Sequence, residues 1–477
     1  MERAEAEAIY AQGREVVVAV LVALSERVAV QDAQIAKLTA RVEELERRLN
    51  RNSQNSSAPP SQDPPGAPER KRAPCSGRGQ GAQPGHRGHG RPLAPIESVE
   101  AVIDHWPDRC GCGHLFSGAE REPVGESARH QVSELPEIAV VVTEHRLHRL
   151  RCPDCGATAH AELPAEVPAG AFGPRLEAAI ATFSVRNRVS RRDVAELTGE
   201  LFGVRVATGT VDAIVQRAGA ALAEPYEHLL EHVRSAPAVN VDETGWRLRG
   251  GKRTLWGAFT AHAAVFRVAP DRHERELQAL LGKDFGGIAS SDRWWAYNYL
   301  DPEHRQVCWS HLVRDFTAHS EGLAAEQAFG EAGLEIAKRL FAAWAQFQAD
   351  GDRDALNRRI APLKAELSAL LVEGSEGKRH KRTWGLANNL LKLGPALWTF
   401  IEVDGVEPTN NAAERGLRAA VIYRKLSLGS QSEGGQRTIE RLLSVDQTCR
   451  LQRRSLHAYL SDALTAKARG DPIPTLA

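Results

Sequence analysis

The chain has 477 residues, 42% hydrophobic and 26% charged, with 61 basic and 61 acidic side chains and a formal net charge of zero. That length holds about two to four folded units, and the globular composition excludes a wholly disordered or collagen-like chain. The longest apolar run, Val16 to Leu24, is about half of the ~20 residues that span a bilayer. Glu2, Glu5 and Glu7 precede it, where an export signal needs positive charge. A cytoplasmic protein without membrane contact is expected, and in that compartment the seven cysteines do not read as a disulfide framework.

Leu21, Leu24, Val28, Gln31, Ile35, Leu38, Val42, Leu45 and Leu49 alternate at spacings of three and four, with charged neighbours. That is the rhythm of a coiled-coil seam with one polar break. Residues 1–50 are therefore expected to be an oligomerisation helix that makes a homo-oligomer. A single amphipathic helix packed on the body of the protein is the other reading. Residues 51–95 are rich in Asn, Ser, Pro, Gly and Arg, too polar to bury a core, and read as a disordered linker. Its second half carries Arg70, Lys71, Arg72, Arg78, Arg87 and Arg91 against Glu69, a charge run able to track phosphates.

Residues 96–165 place short β-rich stretches between two cysteine pairs, Cys110 and Cys112 in CGCGH and Cys152 and Cys155 in CPDCG. Two close thiolate pairs, each followed by Gly, are the halves of a tetrahedral structural zinc site. His114 is a possible substitute ligand, and four thiolates would leave no open position for catalysis. Residues 166–235 look helical throughout, with VSRRDVAELTGELFG and VATGTVDAIVQRAGAAL joined by a tight turn. Ser190 and Thr208 are candidate caps. The pair resembles a helix-turn-helix, and Arg191, Arg192, Thr208 and Thr210 are its candidate DNA contacts; any small helical bundle reads similarly.

From Pro237 the pattern turns to strands. In PAVNVDETGW, Val239 and Val241 fall on one face and Asn240 and Asp242 on the other. RTLWGAFT and AAVFRVA follow, then a helix from about His273 to Leu281, a strand GGIASSD ending on Asp292, a helix through Trp294–Tyr299, and a strand RQVCWSH. The order β-β-β-α-β-α-β is that of the ribonuclease-H-like fold, which brings the ends of its first and fourth strands together. Two carboxylates so placed repel each other and lose solvation, and a divalent cation relieves both. A third acidic ligand for two-metal phosphoryl transfer is Glu414, in the first turn of a helix capped by Asn410 or Asn411. Each carboxylate also has an ordinary reading: Asp242 as a loop cap, Asp292 as a helix cap, Glu414 as an i,i+4 partner of Arg418.

VDETGW, SDRWWAYN, VCWSHLVRDF and TNNAAERGLRAAVIYRKLSLGSQSEGG resemble the motif blocks of bacterial insertion-sequence transposases of the family numbered sixty-six, and the resemblance runs over nearly the whole chain. It implies a multidomain α+β protein: an N-terminal coiled coil, a small zinc module, a helix-turn-helix-like domain, and a ribonuclease-H-like catalytic domain over 236–313 and 401–477 with a helical insertion over 314–400. It implies a DDE triad on Asp242, Asp292 and Glu414, holding magnesium or manganese. The implied activity is DNA transposition: binding the terminal inverted repeats of the element, cleaving strands, and joining 3′ ends to target DNA at the nucleoid. Accessory proteins of the same element are allowed by the resemblance. Arg415, Arg418, Arg424 and Lys425, with the cluster Lys378–Arg382, are candidate backbone contacts, and His311 is a candidate phosphate contact. The alternatives are a catalytically inactive DNA-binding regulator and another metal nuclease on the same fold.

Overall fold

The heptad segment forms α2 (Arg14–Leu49), set off from α1 (Arg3–Tyr10) by a break at Gly13. The seam residues Leu21, Leu24, Val28, Ile35, Leu38 and Val42 are all exposed, so this face has no partner within the described chain. The structure, a computed structural model, describes residues 3–49, 91–136, 138–164, 166–168, 170–376 and 380–476. The linker up to residue 90, Lys378, Arg379, and the side chains of Leu45 and Leu49 lie outside the described residues. The chain divides into two units, one taking in 1–71, 147–194 and 207–477, the other 72–146 and 195–206.

In the larger unit a two-stranded ladder, β1 (Arg149–Arg151) and β2 (Thr158–His160), precedes the main body. Helix α3 (Pro174–Val185) follows, α4 (Arg191–Phe202) begins in this unit and continues into the other, and α5 (Thr208–Ala221) and α6 (Ala223–Ser235) lie in this unit again. Ser190 caps α4 by accepting from the Asp193 amide. The cap of α5 is Ala207, and Thr208 is its first helical residue, a correction to the expected cap.

The main sheet comprises β3 (Ala238–Leu248), β4 (Gly251–Phe259), β5 (Ala264–Ala269), β6 (Ile288–Ser291) and β7 (Arg305–Val307), with α7 (Glu274–Leu281) between β5 and β6. Its order is β5-β4-β3-β6-β7. β3, β4 and β5 form an antiparallel meander, and β6 and β7 continue parallel to β3. Arg249 and Gly250 turn the first hairpin with positive φ at both positions, the mirror-image turn that matches strand twist. The expected strand RQVCWSH is shorter than its apolar run. It ends at Val307, and α8 (Trp309–Ser320) begins two residues later, so His311 is helical.

Four more helices, α9 (Ala324–Asp350), α10 (Arg353–Glu376), α11 (Lys381–Lys392) and α12 (Thr399–Glu402), complete an excursion with its own apolar cluster around Trp309, Phe316, Leu340, Leu363 and Phe400. The chain returns through α13 (Asn411–Ser427), α14 (Glu433–Leu451) and α15 (Leu456–Arg469). These, the meander, and helices α3, α5 and α6 share one core. Thr438 of α14 lies so close to Gly219 of α5 that a Cβ there would meet its Cγ2 at 2.6 Å.

Candidate active site

Strand register brings the first two candidate carboxylates together. Ala238, Val239 and Asn240 pair with Ile288, Ala289 and Ser290. Asp242 lies two residues beyond this ladder on β3 and Asp292 just past the end of β6, near enough for the charge of Asp292 to act on Asp242. Val239 and Val241 are buried in the core, which turns Asn240 and Asp242 to the opposite face, as alternation requires. Asp292 accepts from the Trp294 amide at 2.8 Å, and its own carbonyl accepts from the fully buried Arg305 at 3.4 Å. The short helix that follows, Trp295–Tyr299, is preceded by Trp294 as its cap residue and has no side-chain cap, so Asp292 is not a helix cap.

Helix α13 delivers Glu414. Its close approach depends on Gly416, where a Cβ would meet the Phe259 ring at 2.3 Å, and on Gly257, the antiparallel partner of Asp242. Asn410 precedes the helix and is fully buried, but its side chain does not cap it: Nδ2 donates to the Val241 carbonyl at 2.7 Å. Asn410 thereby ties the start of α13 to the residue before Asp242.

The electrostatics are those of crowded acids. Burial pushes the Asp242 carboxyl up to about 8, and Glu243, Asp292 and Glu414 add like-charge repulsion against the favourable Glu243 amide. Glu243 is also raised, by burial and then by Asp292, although Arg272 pairs with it and the Tyr297 hydroxyl donates to it at 3.4 Å. Glu414 Oε1 accepts from Arg314 at 3.1 Å and lies 3.9 Å from His311 Nε2. Burial, with Arg314, holds His311 below its usual value against the pull of Asp292, Glu414 and Asp315, and its Nδ1 is buried without a partner. Among the described residues no three such side chains close on one point. Glu414 is drawn to Arg314 while the two aspartates repel it. Glu243 and Arg314 are the residues the sequence reading passed over. Both stand inside the quoted motif blocks, Glu243 in VDETGW and Arg314 in VCWSHLVRDF, which was the available signal.

Residues 169–438 match the family described as Transposase IS66 family. The chain belongs to the IS66 transposase family. Residues 107–156 match the zinc-finger binding domain of transposase IS66, and residues 2–92 match a family of unknown function. Among curated proteins the chain is similar to the uncharacterized proteins y4hP and y4qI of Sinorhizobium fredii (strain NGR234), each 26% identical, with 80% of this chain and 74% of the relative covered. A third protein of that strain, y4jD, is 26% identical over 55% of this chain and 56% of its own length.

The zinc-finger match of this IS66 family member contains all four candidate cysteines. Each pair forms a tight knuckle. Cys110 N donates to the His114 carbonyl at 2.8 Å and Cys152 N to the Ala157 carbonyl at 2.8 Å. Gly113 and Gly156 turn the knuckles at φ 98° and 71°. The Cys112 thiol is lowered by the His114 amide and then by Cys110, the Cys152 thiol by the Cys155 and Asp154 amides and then by Cys155. Both knuckles thus favour the thiolate that zinc requires. The pairs fall in different units. His114 faces Glu120, 3.3 Å away.

Of the candidate DNA contacts, Arg192, Thr208, Arg415, Arg418 and Lys425 are exposed and Thr210 half-buried. Arg191 pairs with Asp212 at 3.2 Å. Arg424 donates to Thr244 Oγ1 at 3.1 Å and to the Gly245 carbonyl, fastening α13 to β3. No described helix is long and apolar enough to cross a membrane.

Proposed function

We propose that this member of the family cleaves DNA strands at the ends of an insertion sequence and joins the 3′ ends to target DNA. The sheet order, with parallel strands flanking the meander, supports a ribonuclease-H-like catalytic domain. What carries the proposal is that Asp292 and Glu414 lie near enough to Asp242 to add like-charge repulsion to the burial that pushes its carboxyl up to about 8. Such a donor set, all carboxylate oxygen, fits magnesium or manganese.

Asp242, Asp292 and Glu414 would hold two divalent ions, which would supply charge neutralisation at the phosphorus and activation of the attacking oxygen. Tyr297 and Arg272 hold Glu243, the neighbour of Asp242 within β3. Arg314, which pairs with Glu414 at 3.1 Å, would be free to meet a phosphate oxygen if that carboxylate held an ion. His311, held neutral, presents Nε2 toward the same space. Cys110, Cys112, Cys152 and Cys155 hold a structural zinc. The exposed seam of α2 joins copies of the chain into the homo-oligomer, which works on DNA at the nucleoid, with accessory proteins of the element compatible with this reading.

Strand transfer with pre-cut ends tests the proposal. Asp242→Asn, Asp292→Asn and Glu414→Gln are each expected to bind the ends and to lose cleavage and joining by orders of magnitude. A single variant that keeps normal strand transfer overturns the assignment. Binding without cleavage by the wild-type chain favours the regulator, and cleavage without joining favours a nuclease.

A further inference from the structure

A cavity of about 720 Å³ opens away from the triad, between α3, the start of α4, α5 and the segment that links α13 to α14. Its volume suits a ligand of nucleotide size. Arg188 and Arg191 are balanced there by Asp193 and Asp212. The walls therefore favour a largely neutral group rather than a dense anion. Asn187, Gln216 and Gln431 supply amides, which offer donor and acceptor side by side as base edges require. Gln216 Oε1 accepts from Thr438 at 2.7 Å, and its amide nitrogen has no partner among the described residues. Ser184 also lines the cavity, is 1% exposed, and its hydroxyl has no partner. Arg188 makes no ion pair or side-chain hydrogen bond among the described residues, and it is held at φ 60°.

The rim is equally unusual. Leu426 and Leu428 are 64% and 72% exposed, and Leu428 sits in the left-handed region at φ 59°. An exposed leucine gains nothing by burial that would offset that strain. The segment is nonetheless fixed. Ser430 N donates to the Arg247 carbonyl and Arg249 N to the Ser430 carbonyl, each at 2.9 Å, and Trp246 Nε1 donates to Ser430 Oγ at 3.2 Å. A Cβ on Gly429 would meet the Arg247 carbonyl at 2.4 Å. Two apolar side chains are thus presented rigidly beside an amide-lined cavity, the form of a wedge that separates stacked bases.

We infer that the Leu426–Leu428 tip opens the DNA duplex and that the adjacent cavity receives one unpaired nucleotide. Its base meets the amides and Ser184, and its phosphate meets Arg188. This rests on the strand-cleaving reading of the triad. The tip lies at the far end of the helix that starts beside Glu414, about 20 Å along it by helical rise. The extruded nucleotide therefore sits about six base steps from the cleaved bond.

The full-length protein is titrated with duplexes copied from the DNA flanking its gene, fully paired, singly mismatched, or carrying 2-aminopurine at successive positions. A mismatch removes part of the cost of extrusion, so binding about tenfold tighter than to the paired duplex is expected, together with a rise in 2-aminopurine fluorescence confined to one position. Both are expected to disappear in the double variant Leu426→Ser, Leu428→Ser and in the cavity-filling variant Ser184→Leu, with melting temperature checked for each. Because the leucines are exposed, the first variant folds even where the second does not. Equal binding of both duplexes with no fluorescence rise overturns this inference alone. Failure to bind any duplex overturns it together with the strand-cleaving reading.

Discussion

Asn410 Nδ2 donates a 2.7 Å hydrogen bond to the Val241 carbonyl, and this bond joins the helix of Glu414 to the strand of Asp242. Neither partner touches water: Asn410 and Val241 are both fully buried. Asn410→Ala would leave that carbonyl with the longer bond from the Tyr297 hydroxyl, at 3.4 Å, and is expected to cost about 1 kcal/mol. Asn410→Asp would set a carboxylate oxygen against the carbonyl and is expected to cost more. Denaturant melts of the two variants check the order. Strand cleavage should fall further than stability does, since the bond sets the spacing between two carboxylates.

Gly416 makes the same point sterically. An alanine there gains about 1 kcal/mol of helix propensity. It also drives a methyl into the Phe259 ring, 2.3 Å from the nearest carbon. Phe259 is 2% exposed and has nowhere to go, and overpacking of this kind costs about 1–3 kcal/mol. Gly416→Ala is therefore expected to lower the melting temperature and to lift Glu414 away from the aspartates, which a loss of strand cleavage would show.

Glu440 supplies a pH dependence remote from the acidic site. Burial holds its carboxyl up to about 7, although the Val268 amide and Arg267, Arg441 and Arg437 all pull it down. The unfolded chain releases the same proton near 4.5. Between those values the native state binds more protons than the unfolded one, so this group erodes stability as pH rises from 4.5 to 7 and no further above it. Glu440→Gln keeps an acceptor for Val268 and removes the titration. It should melt like the wild type near pH 4.5 and be more stable above pH 7, by on the order of 2 kcal/mol. A pH series of urea melts on both proteins measures the difference.

Much of the site was legible because strand alternation leaves little choice. In AVNVDE the two valines must go inward, and Asp242 must then go out. The apolar approach of GGIASSD ends a strand on Asp292 in the same way. The reading failed where a short apolar run had no period of its own. RQVCWSH fits a strand or the start of a helix. Only the last ladder bond, from Cys308 N to the Ser291 carbonyl at 2.8 Å, decides that the chain turns helical there and carries His311 to Glu414. Asn410 was read correctly in place and wrongly in role, since capping is a local rule and its partner Val241 is distant in sequence. Nor does sequence pattern tell that Gly219 and Thr438 bring α5 and α14 into contact.

The knuckles predict a metal dependence. Purified protein is expected to contain about one zinc per chain, by the four-ligand rule. Cys152→Ser with Cys155→Ser should remove the zinc and weaken DNA binding while the main sheet still melts cooperatively. Metal analysis and a binding titration on the same preparation check both halves.

The α2 seam predicts a mass. Ile35 and Leu38 are 60% and 65% exposed, so charged replacements there cost nothing within one chain. Ile35→Asp with Leu38→Asp is expected to lower the solution mass by light scattering with the circular dichroism of the body unchanged.

The helical excursion between Asp292 and Glu414 leaves and re-enters the sheet at one place. Trp309 N donates to the Pro408 carbonyl at 2.9 Å, and Asn410 N donates to Cys308 Sγ at 3.2 Å. Its two ends therefore touch, and its last turns are tied to β7 as well, where the Phe400 amide donates to Gln306 Oε1 at 2.8 Å and Thr399 Oγ1 donates to the Arg305 carbonyl. Doubling the length of such a loop costs only about 0.6 kcal/mol in closure entropy. The helices between these ties can thus be lengthened or shortened at little entropic cost while Glu414 keeps its place beside the sheet.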